Sequence, residues 1–540
     1  RPPRPPRSRP RPPLIPELLD ALARRSAYPS EAATVEVCQP HSSVVFLAGP
    51  FVYKLQKPVD LGVLDFTTLE KRRHFCHEEV RLNRRLAPDV YLGVVPVTRV
   101  QDRLVFEGAG EVVDFAVKMR RLPDDATLQA RLGDGALAPE TLAKLGRRIA
   151  GFHRRAASGP DIAQWGRWDV VARNARENLE QSLGHVGTCV SEAVYARLIR
   201  RLEQRLTEVH ELVEDRAARE VPRDTHGDLH LDHVYLFPDR PPPRDLVVID
   251  CIEFNERFRY ADPVADMAFL AMDLVRHGRR DLADVYTEAY FGAAGDPDGE
   301  GLLSFYIGYR AAVRGKVRGM AAGEGEVPQA ERAAAVAEAR GHWLLCLSEL
   351  EEPERRPCLV IVGGLPGTGK STLASELARR AGLEVVSSDR VRKELAGKAL
   401  DEDASADFGE GIYTAKWNDR TYTACLKRAR EMVFEGKRVL VDASFREDER
   451  RRRFLEAADG LGVRSLFLEC NAGPETARRR LAARDGHGSD ADWSIYRRAA
   501  EAWEPVSELS GRAHRTVDTE CPLDRSVASA CSDLSTAGLL

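Results

Sequence analysis

Nowhere in its 540 residues does the chain hold an uninterrupted apolar run near the ~18–20 residues a membrane-spanning helix requires. No membrane partner is therefore expected. The 10 cysteines include no CxxC pair and no Cys/His cluster at zinc spacing, so they are expected to be reduced thiols of a cytoplasmic protein. An excess of one charge is also missing: 80 basic and 84 acidic residues leave a net charge of -4. That balance creates no whole-chain attraction to nucleic acid or anionic lipid. The N-terminal RPPRPPRSRPRPP lacks the apolar segment of a secretory signal. Its prolines block regular structure and its arginines repel one another. Residues 1–33 are thus expected to be a disordered Pro/Arg-rich arm and a lead-in helix. The chain opens on Arg1 rather than Met, which places its expected start upstream. No internal repeat is visible.

What is present reads as two domains. From about residue 34, TVEVCQP and SVVFLAGPFVYKL carry the β-branched and aromatic residues of strands, with a turn at Ala48-Gly49-Pro50. A charged helix follows over roughly Thr68 to Leu86, then strands around YLGVVPVTRV, RLVFEG and VVDFAVKMRRLP. The period becomes helical from Pro139 to about Leu212, where Leu142, Leu145, Ile149 and Phe152 share one face. Strands return at HVYLF and DLVVIDCIEF, and long helices fill about 262 to 350. The expectation is an α+β, bilobal domain over 34–350. The charged, proline-bearing segment around 351–357 reads as a linker. From 358 to 540, strands such as EVVSSD, RVLVDAS and SLFLEC alternate with amphipathic helices, the pattern of an α/β domain with a mainly parallel sheet.

The sharpest local signal is GLPGTGKST, Gly364 to Thr372, between an apolar strand and a helix. Phosphate oxygens need several backbone N–H donors at once, and glycines such as Gly364, Gly367 and Gly369 let a loop wrap them. Thr368 and Thr372 belong to the same cradle. Lys370 would supply a cation to the β- and γ-phosphates of ATP, and Ser371 a hydroxyl to Mg2+. Asp389 ends the strand EVVSSD, where a carboxylate can take the proton of an attacking hydroxyl. The alternative is that it caps the next helix. Arg392 behind it would hold an anionic acceptor or the transferred group. Asp442 ends VLVD and would orient Mg2+ or acceptor. Arg480 and Arg484 lie one helical turn apart and would close over ATP, whereas Arg478 and Arg479 read as surface. These residues together resemble the small-kinase branch of P-loop proteins, which includes polynucleotide 5′-hydroxyl kinases, zeta-type toxin kinases and gluconate-kinase-like enzymes.

The second signal is THGDLHLDHVYLF followed by VVIDCIEFN. Two acids, Asp228 in a loop and Asp250 at a strand end, suit a kinase in which one accepts the hydroxyl proton and the other holds Mg2+. This half resembles the aminoglycoside phosphotransferase family, relatives of the protein kinases. The resemblance implies that Asp228 is the catalytic base, Asp250 a metal ligand and Asp262 a residue ordering the acceptor site. It further implies that Lys54 meets the nucleotide phosphates and pairs with Glu79; Lys57 and Glu78 are the rival choices. VKMRRLP would be the hinge. Where the family carries Asn as second metal ligand this chain has His233, with Asp232 as a substitute, although hard cations favour oxygen. His226 and His230 read as structural hydrogen-bonders. The order of the two halves, together with LGVLDFTTLEKRRHF, the HGD loop, IDCIEFN and the phosphate loop, resembles bifunctional aminoglycoside phosphotransferase/ATP-binding proteins.

The expected function is an ATP- and Mg2+-dependent phosphotransferase with two nucleotide sites, acting on a small-molecule hydroxyl or a nucleic-acid end. Two alternatives compete with it. One is a regulatory ATP-binding protein whose first domain is a pseudokinase controlling the P-loop domain; the other is a polynucleotide 5′-hydroxyl kinase. The acceptor and the oligomeric state are not legible.

Overall fold

Runs of valine, phenylalanine and tyrosine between Val35 and Arg120 build one antiparallel sheet. Its strands are β1 (Val35–Cys38), β2 (Ser43–Ala48), β3 (Phe51–Gln56), β4 (Tyr91–Val100), β5 (Arg103–Phe106) and β6 (Glu111–Arg120), in the order β1-β2-β3-β6-β4-β5. This is a computed structural model describing residues 15–29, 34–40, 42–62, 64–323, 328–399, 411–483 and 493–540. The Pro/Arg-rich tract at 1–14 and Arg484 lie outside the described residues. Helix α1 (Ile15–Leu22) buries Leu18 and Leu22 with Phe46, Tyr53 and Phe106 of the sheet.

Helix α2 (Leu69–Asn83) begins at Thr68, whose hydroxyl accepts from the Lys71 N–H. Its Cys76 and Val80 pack with Tyr91 and Val117 of the sheet. Arg72 pins the helix in place: its buried guanidinium donates through Nε to both oxygens of Asp114 at 2.9 and 3.0 Å and through Nη1 to the Phe66 and Thr67 carbonyls. Two turns further along, Glu79 emerges towards β3.

Two short ribbons carry the next loops: β7 (Arg223–Asp224) pairs with β10 (Tyr260–Ala261), and β8 (Val234–Leu236) with β9 (Leu246–Val248). After Pro353 the chain changes character. Strands β11 (Cys358–Gly363), β12 (Glu384–Ser387), β13 (Arg438–Asp442), β14 (Arg464–Asn471) and β15 (His514–Asp518) form a five-stranded sheet, all parallel, in the order β12-β13-β11-β14-β15. Its central strands β11 and β13 are buried end to end, as strands covered on both faces are, whereas the edge strands β12 and β15 are partly exposed. The expected fold classes are thus both present.

The chain divides into two compact units. One comprises Arg1–Arg167, Val213–Leu270 and Asp284–Pro297; the other comprises Trp168–Leu212, Ala271–Ala283 and Asp298–Leu540. The second unit therefore takes in the helices Leu303–Gly323 and Gln329–Leu350 together with the parallel sheet. Among the described residues no helix is long and apolar enough to cross a membrane.

Candidate functional sites

In the first unit, Lys54 stands on β3 with its Nζ 2.9 Å from Glu79 Oε1 and 3.1 Å from Asp250 Oδ1. The rivals are placed elsewhere. Lys57 donates to the Pro40 carbonyl, and Glu78 meets Arg81 on the surface of α2. Glu79 is 0% exposed, and its second oxygen accepts from Gln56 Nε2 at 3.2 Å. Burial alone would lower the Lys54 pKa, but Asp250 and Glu79 beside it hold it well above the ordinary lysine value. Loss of solvation opposes charge on Asp250 as well, yet Lys54 brings its carboxyl down to about 2.

Asp250 adopts φ 65°, a left-handed conformation that side-chain-bearing residues seldom take. Its backbone is gripped on both sides: the Asp250 N–H donates to the Tyr91 hydroxyl at 3.2 Å and the Cys251 N–H to Asn83 Oδ1 at 2.9 Å. A strained residue held this firmly aims its carboxylate at a fixed point. That point faces His233, whose Nε2 is 3.5 Å from Asp250 Oδ2 while Nδ1 is 3.6 Å from Asp228 Oδ2. One imidazole therefore separates the two acids. His230 Nε2 lies 3.4 Å from Asp228 Oδ2. Such a set can accept a proton and hold a cation.

The loop carrying Asp228 is hung on a residue the motif reading passed over. Asp266, 0% exposed, accepts from the His226 N–H at 3.0 Å and the Gly227 N–H at 2.8 Å, and its carboxylate also meets His153 Nε2 at 2.9 Å. His226 is structural too: Nε2 donates to the Ile249 carbonyl at 2.9 Å, and burial pushes its pKa down to about 4. Asp262, expected to order the acceptor site, points elsewhere. It is 5% exposed and holds Arg216 by bonds of 2.7 and 3.0 Å, while its Oδ1 also accepts from the Val264 N–H at the start of helix Pro263–Arg276. The ADPVAD segment offers two acids one helical turn apart, and the helix's rotation decides which reaches the loop.

In the second unit the phosphate loop lies where β11 runs into helix Lys370–Ala381, at the carboxyl ends of the parallel strands. Sheets of this kind bind ligands at such a crevice. Gly367, at φ 80°, leaves no room for a side chain: a Cβ there would stand 2.9 Å from the Ala477 carbonyl oxygen. Thr368 is buried and donates to the Leu365 carbonyl, as does Lys370 Nζ at 3.0 Å. A cavity of about 590 Å³ opens from the loop and is lined by Gly364, Gly367, Gly369, Lys370, Ser371, Asp389, Arg392 and Asp442 among others. Thr372 is exposed and does not line it. Arg480 donates to the Thr519 carbonyl at 2.6 Å, and its Nη1 would be 3.5 Å from a Cβ placed on Gly369.

Asp389 sits in the first turn of helix Ser388–Leu395, straight after β12. Arg392, one turn on, is 6% exposed; its Nη1 donates to the Ile412 carbonyl and to Asn418 Oδ1, and its guanidinium lies over the Tyr413 ring. Sequence reading missed Arg446 and Arg450, which also line the cavity with Asn418, Tyr422 and Trp503. They belong to a run of charge after the strand VLVDAS, a pattern more typical of solvated helix surface.

Comparison with known proteins places both sites in a kinase setting. Residues 62–303 match the Phosphotransferase enzyme family and residues 359–504 match the AAA domain. The uncharacterized protein Rv2004c of Mycobacterium tuberculosis is 32% identical over 496 residues, covering 92% of this chain and 94% of that protein. The 2-phosphoglycerate kinase of Methanocaldococcus jannaschii is 33% identical over 95 residues, 16% of this chain and 30% of that one. Among solved structures, the GDP and kanamycin complex of APH(2")-IIia covers 60% of this chain and 98% of its own, at 13% identity and a TM-score of 0.39. The two domains are those of a phosphotransferase, and the similarity to Rv2004c runs through both of them. The chain belongs to the family of bifunctional aminoglycoside phosphotransferase/ATP-binding proteins, in which an aminoglycoside-phosphotransferase-like kinase domain precedes a P-loop kinase domain.

Proposed function

We propose that the chain is an ATP-dependent phosphotransferase with two nucleotide sites, and that its P-loop half phosphorylates a hydroxyl of a small anionic molecule. Arg392 carries this reading. It is 6% exposed, lines the cavity that begins at the phosphate loop, and forms no ion pair with a carboxylate among the described residues. A buried guanidinium without a counter-ion is costly, and an anionic acceptor supplies one. Arg446 and Arg450 line the same cavity, but each meets Glu447, at 2.9 and 2.8 Å, and Arg450 also meets Asp419 at 3.1 Å, so Arg392 is the guanidinium that asks for a counter-ion. The name 2-phosphoglycerate kinase denotes an acceptor of this class.

In this reading Lys370 and the loop amides grip the β- and γ-phosphates, with Arg480 beside them. Asp389 takes the proton of the attacking hydroxyl, and Arg392 holds the acceptor's anionic group. Ser371 and Asp442 would hold Mg2+; their donors are all oxygen, as that hard cation prefers, and the bound ion would neutralise phosphate charge. In the first half Lys54, backed by Glu79, meets the nucleotide phosphates; Asp228 accepts the hydroxyl proton, and Asp250 with His233 binds the metal.

The test is γ-phosphate transfer by the full chain to sugar phosphates, hydroxy acids, neutral sugars, aminoglycosides and 5′-hydroxyl oligonucleotides. The expected acceptor is a small molecule bearing phosphate or carboxylate. Lys370→Ala should abolish that transfer. Arg392→Gln should raise the acceptor KM about 10- to 100-fold, the worth of charge-assisted hydrogen bonds, with little change in the KM for ATP. A neutral best acceptor, or an unchanged acceptor KM in Arg392→Gln, would refute the reading. Steeply salt-dependent transfer to oligonucleotides would redirect it to nucleic-acid ends.

A further inference from the structure

We infer that the nucleotide site of the first half is built for a divalent ion that accepts a nitrogen ligand, such as Mn2+, in preference to Mg2+. The inference rests on the reading of that half as a nucleotide site and concerns the ion beside Asp250.

His233 is held in one ring orientation by two contacts. Its Nδ1 lies 2.9 Å from the Asp228 backbone carbonyl oxygen, which can only accept, so Nδ1 carries the hydrogen. The ring of His230 packs against it, with centroids 3.8 Å apart, and blocks a flip. Nε2 is left as the ring's metal-binding atom, 3.5 Å from Asp250 Oδ2. An imidazole whose far nitrogen is fixed by a carbonyl, with its near nitrogen facing a carboxylate, is the usual build of a metal-ligating histidine. Two donors of one ion bound at about 2.0–2.2 Å stand a few ångströms apart, as these do.

Asp228, His230 and His233 also lie close enough to share an ion. His233 Nδ1 stands 3.6 Å from the Asp228 carboxylate, but that nitrogen is committed to the Asp228 carbonyl. The ion is thus directed to the Asp250 side, and the Asp228 carboxylate, 3.4 Å from His230 Nε2, keeps its place next to it. Mg2+ takes oxygen donors almost exclusively, whereas first-row transition ions accept imidazole. The donor set, one carboxylate and one imidazole, does not suit Mg2+.

The experiment uses the full chain carrying Lys370→Ala, which disables the phosphate loop, loaded with Mn2+ and a non-hydrolysable ATP analogue. Pulsed electron paramagnetic resonance should detect imidazole ¹⁴N coupled to Mn2+ together with ³¹P of the nucleotide. His233→Asn in the same background should remove the ¹⁴N coupling and keep the ³¹P coupling, which also shows that the variant is folded and loaded. Its preference for Mn2+ over Mg2+ in nucleotide binding should fall by about 10- to 100-fold. The inference is overturned by bound nucleotide without ¹⁴N coupling, or by ¹⁴N coupling that survives His233→Asn. If the Lys370→Ala chain binds no nucleotide with either ion, the first-half nucleotide site itself is refuted and the inference falls with it.

Discussion

Replacing Asp266 by asparagine would test what positions the loop that carries Asp228. The carboxylate is 0% exposed and meets three nitrogens, the His226 and Gly227 amides at 3.0 and 2.8 Å and His153 Nε2 at 2.9 Å. Asparagine keeps the shape but has a single acceptor oxygen, so at least one buried amide would face an NH2 group. A buried donor left unsatisfied costs about 1–3 kcal/mol, and the charge assistance of the remaining bonds is lost as well. Together these make a local penalty of about 2–4 kcal/mol, which corresponds to a roughly 30- to 700-fold rise in the opening equilibrium. The loop is closely packed there: Gly227 is at φ 88°, and a Cβ in its place would stand 3.1 Å from both Ile252 and the Phe258 carbonyl. Hydrogen exchange with mass spectrometry on the full chain should show faster exchange in peptides spanning Asp224 to Leu229 by that factor. Peptides from β13, in the other unit, serve as the reference and should not change. Unaltered exchange at 226–227 would show that Asp266 does not hold the loop.

Three further outcomes follow from the same geometry. Arg216→Met strands Asp262 and Asp296, which share bonds of 2.6–3.0 Å with the guanidinium, and should cost about 3 kcal/mol in urea unfolding; a loss below about 1 kcal/mol would contradict the buried clamp. Gly367→Ala forces a Cβ to 2.9 Å from the Ala477 oxygen at φ 80° and should weaken ATP-analogue binding by about tenfold, since left-handed strain alone is worth about 1–2 kcal/mol; unchanged affinity in isothermal titration would refute it. The pKa of His226 is about 4 when folded, against about 6.5 when unfolded, so between these values the unfolded chain binds the extra proton. The resulting stability is complete above pH 6.5 and is lost as pH falls through 4, about 3 kcal/mol in all. Plots of urea midpoint against pH should be flatter for His226→Gln than for the parent over that range, and parallel plots would count against a buried, uncharged imidazole.

The parts of this protein that were legible in order of residues are those whose physics is local. A phosphate loop needs glycines at fixed spacing, a lysine and a serine between a strand and a helix, and the short stretch Gly364 to Ser371 supplies them all. The parallel sheet likewise shows itself in runs such as CLVIVG and RVLVD, because strands covered on both faces are apolar along their length. Residue order could not choose Lys54 over Lys57, since a strand's pleat decides which lysine faces α2. Nor could it separate Asp262 from Asp266, because the same ADPVAD turn suits either until Arg216 and the His226 amide are placed. Arg446 and Arg450 stand in a run of charge that matches no motif, and only folding brings them to the cavity shared with the phosphate loop. Ion-pair partners far apart in the chain meet through the packing of whole elements, which depends on many weak apolar contacts at once and leaves no signature in any short stretch of sequence.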